Sequence, residues 1–343
     1  MYTIITSLEE LTLNKTIIEN IYAKYKRMPQ QSYYSYYAKM KDMGGKNVII
    51  YIDDELPCIL AFERRRKDGI FQSIADLYPI LGNYVSLVSI KDILRKLQNV
   101  FGIKAFYFPQ IDADSQFVID AISDQDFETW QRLDCPIYAN TEYMNNGFEY
   151  PKCCKHPHRK EKKLLAHAYV KTLAASEAEE VIRFIELSSW KHTCKQDMIS
   201  RNQLHYYVCL IKNNILNVTA LLAKENDEPI AYRIDTVIND TVFVVKWSYN
   251  MAYAKYSPGS YLATRELFSH YASNDIAIFN LYGSPDSLKD RIENKRITRR
   301  DLVFVNGMNI PEVQKLRNER IEHDRKINEA HKNKQSLQEI YMK

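Results

Sequence analysis

The sequence predicts an α/β (α+β) protein that consists of two similar domains and a C-terminal helix. Three observations lead to this fold class. At 343 residues, the chain is longer than a single hydrophobic core usually supports. The order strand–turn–strand–strand–helix–strand occurs twice along the chain. Residues 311–343 are rich in charged side chains and contain no glycine, which is typical of a solvent-exposed helix.

The first copy of this order lies in the N-terminal half. Its strands and its helix are predicted, in chain order, at residues 48–52, 58–63, 69–74, 87–101 and 103–108. The first two strands form a hairpin, because an acidic turn that ends at Pro57 separates two β-rich runs. The helix is predicted from apolar residues at helical spacing, and Gly102 takes the position that ends it.

The second copy repeats these elements in the C-terminal half. They are predicted at residues 218–222, 230–234, 241–247, 258–271 and 276–281. An acidic turn again joins the first two strands, and it ends at Pro229 as the earlier one ends at Pro57. Because every element recurs in the same order, we interpret the two halves as a duplication.

The segment between the two copies suggests where the domains end. Residues 151–163 are polar and basic, which is typical of a linker that enters a helix. A further helix is predicted over 177–190, where apolar residues form a broad face. The sequence therefore predicts an N-terminal domain at 1–150, a C-terminal domain at 151–310 and a charged helix at 311–343.

The composition argues against several classes of protein. A net charge of +4 is too small for a dedicated nucleic-acid binder. The N-terminus lacks a basic segment followed by an apolar core, and no run approaches about 18 apolar residues, so neither a signal peptide nor a membrane-spanning helix is predicted. The six cysteines are scattered, which predicts free thiols and a cytoplasmic location.

The segment Ser257-Pro258-Gly259 follows a strand and suits the start of a helix. Serine is a preferred N-cap residue, and proline is favoured at the first helical position. The unpaired N–H groups and the dipole of a helix start attract anions such as pyrophosphate, and glycine allows a ligand close to the backbone. A simple helix start without a ligand is the alternative interpretation.

The segment 283–292 leaves the last strand of the second copy. In many α/β sheets, ligands bind at such strand ends. Asp286, Lys289 and Arg291 would there contact a polar substrate or stabilise charge in a transition state. The alternative is that these side chains are ordinary solvated charges of a loop.

Other motifs provide weaker evidence for a function. Zinc is not predicted at Cys153, Cys154, His156 and His158, because adjacent cysteines do not easily share one tetrahedral ion and no second ligand pair follows. The sequence contains neither a Walker loop nor a GxGxxG motif, so ATP and dinucleotide binding have no support. No metal is predicted.

Three segments together resemble the CelD-like branch of the GNAT acyltransferases, a bacterial family related to the Fem-type aminoacyl ligases. They are Leu-Ser-Ser-Trp-Lys at 187–191, a stretch at 247–260 that ends in Tyr-Ser-Pro-Gly-Ser, and Gly-Ser-Pro-Asp-Ser-Leu-Lys at 283–289. The resemblance covers roughly residues 160–295 and is specific in the combination of segments. It implies two tandem GNAT-like domains, each with a mixed, mostly antiparallel sheet flanked by helices.

The resemblance implies an N-acyltransferase that moves an acyl group from acyl-CoA to a small amine or amino-acid-like acceptor by direct attack. The implied catalytic residues are Lys289, Asp286, Tyr249 and Asp235. The implied donor-binding residues are Trp247, Tyr256, Ser257, Pro258, Gly259, Ser260 and Tyr261. The implied substrate-binding residues are Trp190, Lys191, Arg233 and Tyr282. In the first copy, residues 86–90 lack both proline and glycine, so the donor site of that domain is expected to be degenerate.

Two departures from the family leave the mechanism open. Strand 241–247 carries no carboxylate to act as general base, so Asp235, Asp286, Tyr249 or water are alternatives. The chain also has Leu288 where the family often has an aromatic residue. Two other functions therefore remain: a Fem-type aminoacyl-tRNA-dependent ligase, whose activity would be lost on RNase treatment, and a non-catalytic binding protein.

Overall fold

The computed structural model describes residues 2–26, 28–43, 47–64, 68–74, 80–81, 85–145, 147–155, 158–272 and 275–333. The strands are β1 (Tyr2–Ile5), β2 (Val48–Asp53), β3 (Cys58–Arg64), β4 (Ile70–Ser73), β5 (Ile80–Leu81), β6 (Ala105–Asp112), β7 (Phe127–Gln131), β8 (Cys135–Ala139), β9 (Ala168–Thr172), β10 (Asn217–Ala223), β11 (Pro229–Ile238), β12 (Thr241–Tyr249), β13 (Ile278–Asn280), β14 (Lys295–Ile297) and β15 (Arg299–Phe304).

The α-helices are α1 (Leu8–Leu13), α2 (Lys15–Tyr25), α3 (Tyr33–Met43), α4 (Leu87–Phe101), α5 (Gln116–Ile122), α6 (Arg159–His167), α7 (Ala175–Leu187), α8 (Trp190–Thr193), α9 (Leu204–Lys212), α10 (Pro258–Tyr261), α11 (Leu267–Tyr271) and α12 (Pro311–Lys332). A π-helical turn, Leu262–Glu266, joins α10 to α11 without a break. No helix among the described residues is long and apolar enough to cross a membrane.

The strands form two mixed, mostly antiparallel sheets. In the first sheet the order is β1-β2-β3-β4-β6-β15-β7, and β5 pairs with β3 beside this path. In the second sheet the order is β14-β8-β13-β12-β11-β10-β9. The parallel pairs are β4 with β6 and β12 with β13. The predicted fold class, two similar domains with sheets flanked by helices, is confirmed.

The duplication predicted from the sequence is visible in the topology. β2, β3, β4, α4 and β6 follow one another as β10, β11, β12, the continuous helix 258–271 and β13 do. In each copy the helix connects two strands that pair in parallel, as a helical crossover must. Gly102 ends α4 with a φ of 64°, the left-handed conformation that glycine adopts at helix ends.

The chain divides into two compact units, and each unit combines two separate ranges of the sequence. One unit contains residues 1–134 and 297–326, and the other contains 135–296 and 327–343. This division differs from the boundaries predicted at 150/151 and 310/311. The reason is that β8 pairs with β13 in the second sheet, whereas β15 pairs with β6 and β7 in the first. Such long-range pairing leaves no local signal in the sequence.

Alternation along the strands builds the cores. Every residue of β2 is buried, because helices cover both faces of the first sheet. Ile49 and Tyr51 pack with α4 and α5, whereas Val48, Ile50 and Ile52 pack with α1, α2 and α3.

The second sheet is covered in the same way. Phe268 of α11 packs on Phe279 of β13, and Tyr232 of β11 donates a hydrogen bond to Glu186 of α7 on the opposite face. The charged helix predicted over 311–343 is present as α12, and residues 334–343 lie outside the described residues.

Candidate functional site

The second sheet opens between its two parallel strands. β12 and β13 pair through only three positions, from Thr241 with Ile278 to Phe243 with Asn280. β12 then continues to Tyr249, and in the described part of the chain no strand pairs with this stretch on the β13 side. The sheet therefore contains a cleft in which one backbone edge of β12 faces a ligand-sized space.

This cleft contains a cavity of about 400 Å³. Its walls come from α8, the end of β12, the start of α10 and the loop after β13. The lining residues are Trp190, Lys191, Val245, Lys246, Trp247, Ser248, Tyr249, Gly259, Ser260, Leu281, Tyr282, Gly283, Asp286, Ser287, Leu288 and Lys289. The structure thus brings together predicted site residues from all three sequence segments, and they are Trp190, Lys191, Trp247, Tyr249, Gly259, Ser260, Tyr282, Asp286 and Lys289.

Successive residues of β12 point to opposite faces of the sheet. The rings of Trp247 and Tyr249 lie against Gly259 of α10. Lys246 points the other way, where its Nζ donates a hydrogen bond of 3.0 Å to Gln203 Oε1 and lies 5.1 Å from the ring centre of Tyr207 on α9. The cleft therefore connects a compartment beside α10 with a compartment beside α9.

The backbone of Trp247 faces the cleft. Asn250 N–H donates a hydrogen bond to Ile230 O, so the backbone of Asn250 points toward β11. The backbone groups of successive strand residues point alternately toward and away from the partner strand. The N–H and C=O groups of Trp247, three residues earlier, therefore point away from β11. Lys191 Nζ confirms this direction, because it donates a 2.6 Å hydrogen bond to Trp247 O. Since the N–H and C=O of a strand residue point to the same side, Trp247 N–H also points into the cleft.

A bulge in β12 adjoins this position. Ile234 pairs with Lys246, but the next residue, Asp235, pairs with Val244, so that Val245 is skipped. A bulge bends a strand and redirects its side chains, and bulges are frequent beside functional sites. It lies where β12 departs from β13.

Gly259 has a packing role in addition to the one that the sequence suggested. A Cβ atom at this position would lie 2.9 Å from Tyr249 Cδ1 and 3.7 Å from Trp247 Cδ1. Such contacts are too close without a shift of the tyrosine ring. Glycine is therefore needed so that α10 packs directly on the aromatic side chains of β12, and not only to admit a ligand.

The two copies differ at the start of the crossover helix. In the first copy, the Ser86 side chain accepts a hydrogen bond from Ser89 N–H and so caps α4. In the second copy, Ser257 has a φ of 54°, and its side chain makes no capping hydrogen bond to α10. Pro258 is buried at the first helical position, as predicted. The start of the helix thus remains available for an external anion in the second copy.

A second cavity of about 350 Å³ lies beside this helix start. It contains the predicted residues Tyr256, Ser257 and Tyr261, and Ser260 borders both cavities. Its other lining residues include four that carry or can carry positive charge, namely His158, Arg159, Lys160 and Arg291. The basic stretch predicted to be a linker therefore provides part of a cationic pocket.

Lys289 is buried in the wall of the first cavity and holds a loop. Its Nζ donates hydrogen bonds to the carbonyls of Tyr282 and Ser284, the latter at 2.8 Å, and lies 5.7 Å from the ring centre of Trp247. Tyr282 and Gly283 both have positive φ values, 54° and 71°. The ammonium group thus stabilises a turn whose conformation L-residues rarely adopt.

Asp286 supports the same loop. Its Oδ1 accepts hydrogen bonds from the N–H groups of Leu288 and Lys289, at 2.9 Å and 3.0 Å, and its Oδ2 lies 3.7 Å from Lys289 Nζ. Asp286 lines the cavity, but these contacts orient its carboxylate toward its own loop. Tyr249, another predicted proton carrier, has a pKa raised by burial, so its hydroxyl stays protonated near neutral pH and is poorly placed to accept a proton.

Arg233 and Asp235 are not brought to either cavity. Arg233 is fully buried, and its guanidinium contacts Asp235, Glu266 and the carbonyl of Leu262. Asp235 Oδ1 also accepts a 2.6 Å hydrogen bond from Tyr271. The π-helical turn presents both Leu262 and Glu266 to Arg233, so this network ties the crossover helix to β11. Neither Arg233 nor Asp235 lines the cavities, and these contacts are typical of a structural network.

The sequence interpretation missed a polar cluster behind β12. Glu186 is buried and accepts hydrogen bonds from Tyr232 Oη and from Met198 N–H. Lys191 and Lys246 approach this cluster, and burial lowers the pKa of both. The sequence signal for Lys246 is a single charge within the otherwise apolar run 241–247.

The pKa of the Cys153 thiol is lowered. The hydrogen bond with Cys154, whose Sγ lies 3.6 Å away, and the positive charges of Arg291 and His158 lower the pKa of Cys153 to about 7. In contrast, burial raises the pKa of Cys58 to about 12. The sequence predicts ordinary free thiols at all six cysteines. In the structure, no two of them form a disulfide bond.

We expect iodoacetamide at pH 7.5 to label Cys153 well before Cys58, because the thiolate is the reactive form. The site of labelling is read by peptide mass spectrometry. Since Cys153 lines the cationic cavity, a ligand that fills this cavity should slow its labelling. Equal labelling rates for Cys153 and Cys58 in the folded protein would contradict the assigned pKa difference.

Among the described residues, no group of three or more His, Cys, Asp and Glu side chains is arranged to hold a metal ion. His156 lies outside these residues, whereas Cys153, Cys154 and His158 are within them.

Comparisons with known proteins agree with this geometry. Residues 152–290 match the family model described as an acetyltransferase (GNAT) domain. No curated protein matches the sequence. A conserved protein of unknown function from Bacteroides thetaiotaomicron has a similar fold, with a TM-score of 0.56, 12% identity, and coverage of 89% of this chain and 100% of that chain.

Two further solved structures share the fold over similar lengths. L-PGS from Bacillus licheniformis has a TM-score of 0.55 at 11% identity and covers 90% of this chain and 95% of its own. FemX has a TM-score of 0.54 at 8% identity, with coverage of 85% and 96%. At these identities the likeness concerns the fold alone. Residues 152–290 are thus similar to a GNAT acetyltransferase domain, and the chain shares its fold with L-PGS and FemX.

Proposed function

We propose that the chain transfers an acyl group from a coenzyme A thioester to an amine acceptor, and that the reaction takes place in the cleft between β12 and β13. The observation that carries this proposal is the edge of β12 beyond Phe243, which no strand in the described part of the chain covers on the β13 side and where Trp247 N–H points into the cavity. A thioester carbonyl beside this edge would meet a fixed N–H donor as its oxygen gains negative charge.

The donor is proposed to lie on the α10 side of the sheet. Its reactive end would reach the cleft past Trp247, Tyr249 and Gly259, while its phosphates would lie in the cationic cavity with Tyr256–Tyr261. Arg159, Lys160 and Arg291 would offset the phosphate charges there. The uncapped start of the helix 258–271 supports this assignment, since its N–H groups and dipole favour an anion.

Direct attack needs no covalent enzyme intermediate. An amine held about 3–3.5 Å from the thioester carbon gains most of its rate from positioning. Among the predicted residues, Lys289, Trp190, Lys191 and Tyr282 line this cavity, so they remain proposed contacts of the reacting groups.

A binding experiment tests the donor. In thermal-shift assays with CoA, acetyl-CoA and inorganic phosphate, CoA at 100 times its dissociation constant should stabilise the second domain by about 2.7 kcal/mol. Lys160→Ser should weaken CoA binding, because Lys160 lines the cationic cavity. Lys163→Ser is the matched control, since Lys163 is an exposed lysine of the same helix and does not line the cavity. The absence of any shift with CoA would refute the proposed donor.

An aminoacyl-tRNA donor is the second candidate. The specific observation that favours it is the cluster of basic residues at the mouth of the cationic cavity, since an RNA 3′ end also presents phosphates. Binding of charged tRNA should then fall steeply with salt, and RNase should abolish activity. CoA binding without tRNA binding excludes this candidate.

Four further sequence predictions belong to the same proposal. The domain at 1–150 is proposed to have lost its donor site, as the self-capped start of α4 suggests. A bacterial origin and a cytoplasmic location are proposed on the family resemblance and on the unbonded cysteines. The second domain is proposed to catalyse the reaction alone and without a metal.

A further inference from the structure

Lys246 occupies an unusual position on the face of β12 opposite the proposed donor. It lines the cleft cavity, it adjoins the bulge at Val245, and it precedes Trp247, whose backbone borders the same cavity. Its Nζ donates a hydrogen bond of 3.0 Å to an uncharged acceptor, Gln203 Oε1. Its side chain thus crosses from the strand edge into the compartment beside α9.

Charged groups surround Lys246 from several elements. They are Glu186 on α7, Lys191 on α8, and Asp197 and Arg201 in the segment before α9. Burial and the repulsion from Lys191 outweigh the attraction of Glu186, and they lower the pKa of Lys246 to about 7. The Glu186 carboxylate accepts hydrogen bonds from Tyr232 Oη and from Met198 N–H.

Ser248 provides a second, independent observation in the same compartment. It points to the same face of β12 as Lys246, lines the cavity and is 2% exposed. Its Oγ has no hydrogen-bond partner within the described residues. A buried hydroxyl without a partner costs free energy unless a ligand satisfies it. The Cα atoms of Lys246 and Ser248 lie about 7 Å apart along the strand, and both residues line the same cavity.

We propose that the acceptor amine binds between Lys246 and Ser248 and that Lys246 is the general base of the reaction. The proposal rests on the function proposed above and specifies the side of the sheet that the acceptor occupies. Strand 241–247 contains no carboxylate that could act as general base, and Lys246 would take that role. The acceptor is a primary amine, and its nitrogen reaches the thioester through the cleft.

The proton balance is simple. The acceptor ammonium gives one proton to the neutral Lys246 Nζ and becomes a nucleophilic amine. Its nitrogen forms a bond to the thioester carbon, the carbon–sulfur bond breaks, and the second proton of the nitrogen passes to the departing thiolate. Lys246 then releases its proton to water. The products are an amide, a free thiol and one proton.

The alternative is that Lys246 acts only as a positive charge that holds an anionic group of the acceptor. The two roles differ in their response to arginine. An arginine keeps the charge but does not lose its proton near neutral pH. Lys246→Arg therefore preserves an anion site and abolishes a base.

The experiment combines labelling with turnover. In wild-type protein, pulses of isotope-coded acetic anhydride between pH 5.5 and 10.5 are expected to show half-maximal reactivity of Lys246 near pH 7, whereas the exposed control Lys163 reacts only at higher pH. Turnover is measured as thiol release from acetyl-CoA with a panel of amino acids, amino sugars and polyamines. At pH 7, Lys246→Arg and Lys246→Gln are expected to lower kcat by about 10²-fold or more. Ser248→Ala is expected to raise the acceptor KM by up to about tenfold.

The outcomes separate this inference from the function on which it rests. Wild-type kcat should rise with pH and level off above about 7, because Lys246 must be neutral to accept a proton, while the variants continue to rise. Unchanged CoA stabilisation in the variants shows that they are folded. If wild-type protein turns over but Lys246→Arg keeps its kcat, or if Lys246 labels like Lys163, the base assignment is overturned alone. If wild-type protein releases no thiol with any acceptor, the proposed function is overturned as well.

Discussion

Replacement of Arg233 by methionine is expected to lower the free energy of unfolding by about 3–5 kcal/mol. Arg233 is fully buried, and its guanidinium is the shared partner of the Asp235 and Glu266 carboxylates. Methionine retains a stem of similar length but leaves two buried acidic groups without their cation. The loss is measured by urea denaturation followed by circular dichroism.

A matched variant separates burial from charge. Arg183 on α7 forms an exposed ion pair with Glu179 at 3.2 Å, and Arg183→Met should cost less than about 1 kcal/mol. Neutralising the whole network, with Arg233→Met, Asp235→Asn and Glu266→Gln together, should recover part of the stability. If Arg233→Met unfolds like wild type and only loses substrate affinity, the substrate-binding role predicted from the sequence is correct after all.

Replacement of Lys289 by methionine is expected to lower kcat by about 10²–10³-fold while donor affinity changes little. The ammonium group lies in the cavity wall, 5.7 Å from the Trp247 ring centre, where it can stabilise charge that develops on the carbonyl oxygen or the departing thiolate. Because its Nζ also holds the carbonyls of Tyr282 and Ser284, the variant should be less stable by about 1–3 kcal/mol. Acetyl-CoA turnover and thermal unfolding are measured on the same sample.

Two comparisons make this result interpretable. Lys295→Met, at an exposed lysine of β14, should leave both turnover and stability near wild type. CoA stabilisation of the Lys289→Met protein shows whether the donor cavity is intact. A variant that keeps wild-type kcat would show that Lys289 only supports the loop, and that transition-state charge is met by backbone groups such as Trp247 N–H.

Features that depend on neighbouring residues could be predicted well. The helix 87–101 was expected from apolar spacing and from Gly102, and α4 has these bounds. The helix 258–271 was expected from Ser257-Pro258 and is continuous through a π-helical turn. The hairpins followed from acidic turns between β-rich runs. All of these signals are local, since capping, turn chemistry and periodicity involve residues only a few positions apart.

Features that depend on pairing between distant segments of the chain could not be predicted from the sequence. The sequence does not reveal that β8 joins the second sheet and β15 the first, because strand pairing is decided by contacts between distant segments. It also does not reveal which face of β12 each side chain meets, because the bulge at Val245 shifts the alternation.

For the function, the sequence by itself determined the duplication, the absence of the Pro-Gly start from one copy, and the resemblance that predicts the site near Tyr256–Ser260 and Lys289. Only the tertiary structure decided which polar residues share the cleft. It buried Arg233 and Asp235 in a structural network, and it turned Lys246 and Ser248 into the compartment opposite α10. The physical reason is that the chemistry of a side chain depends on its solvent exposure and on its charged neighbours, and both are set by segments far apart in the chain.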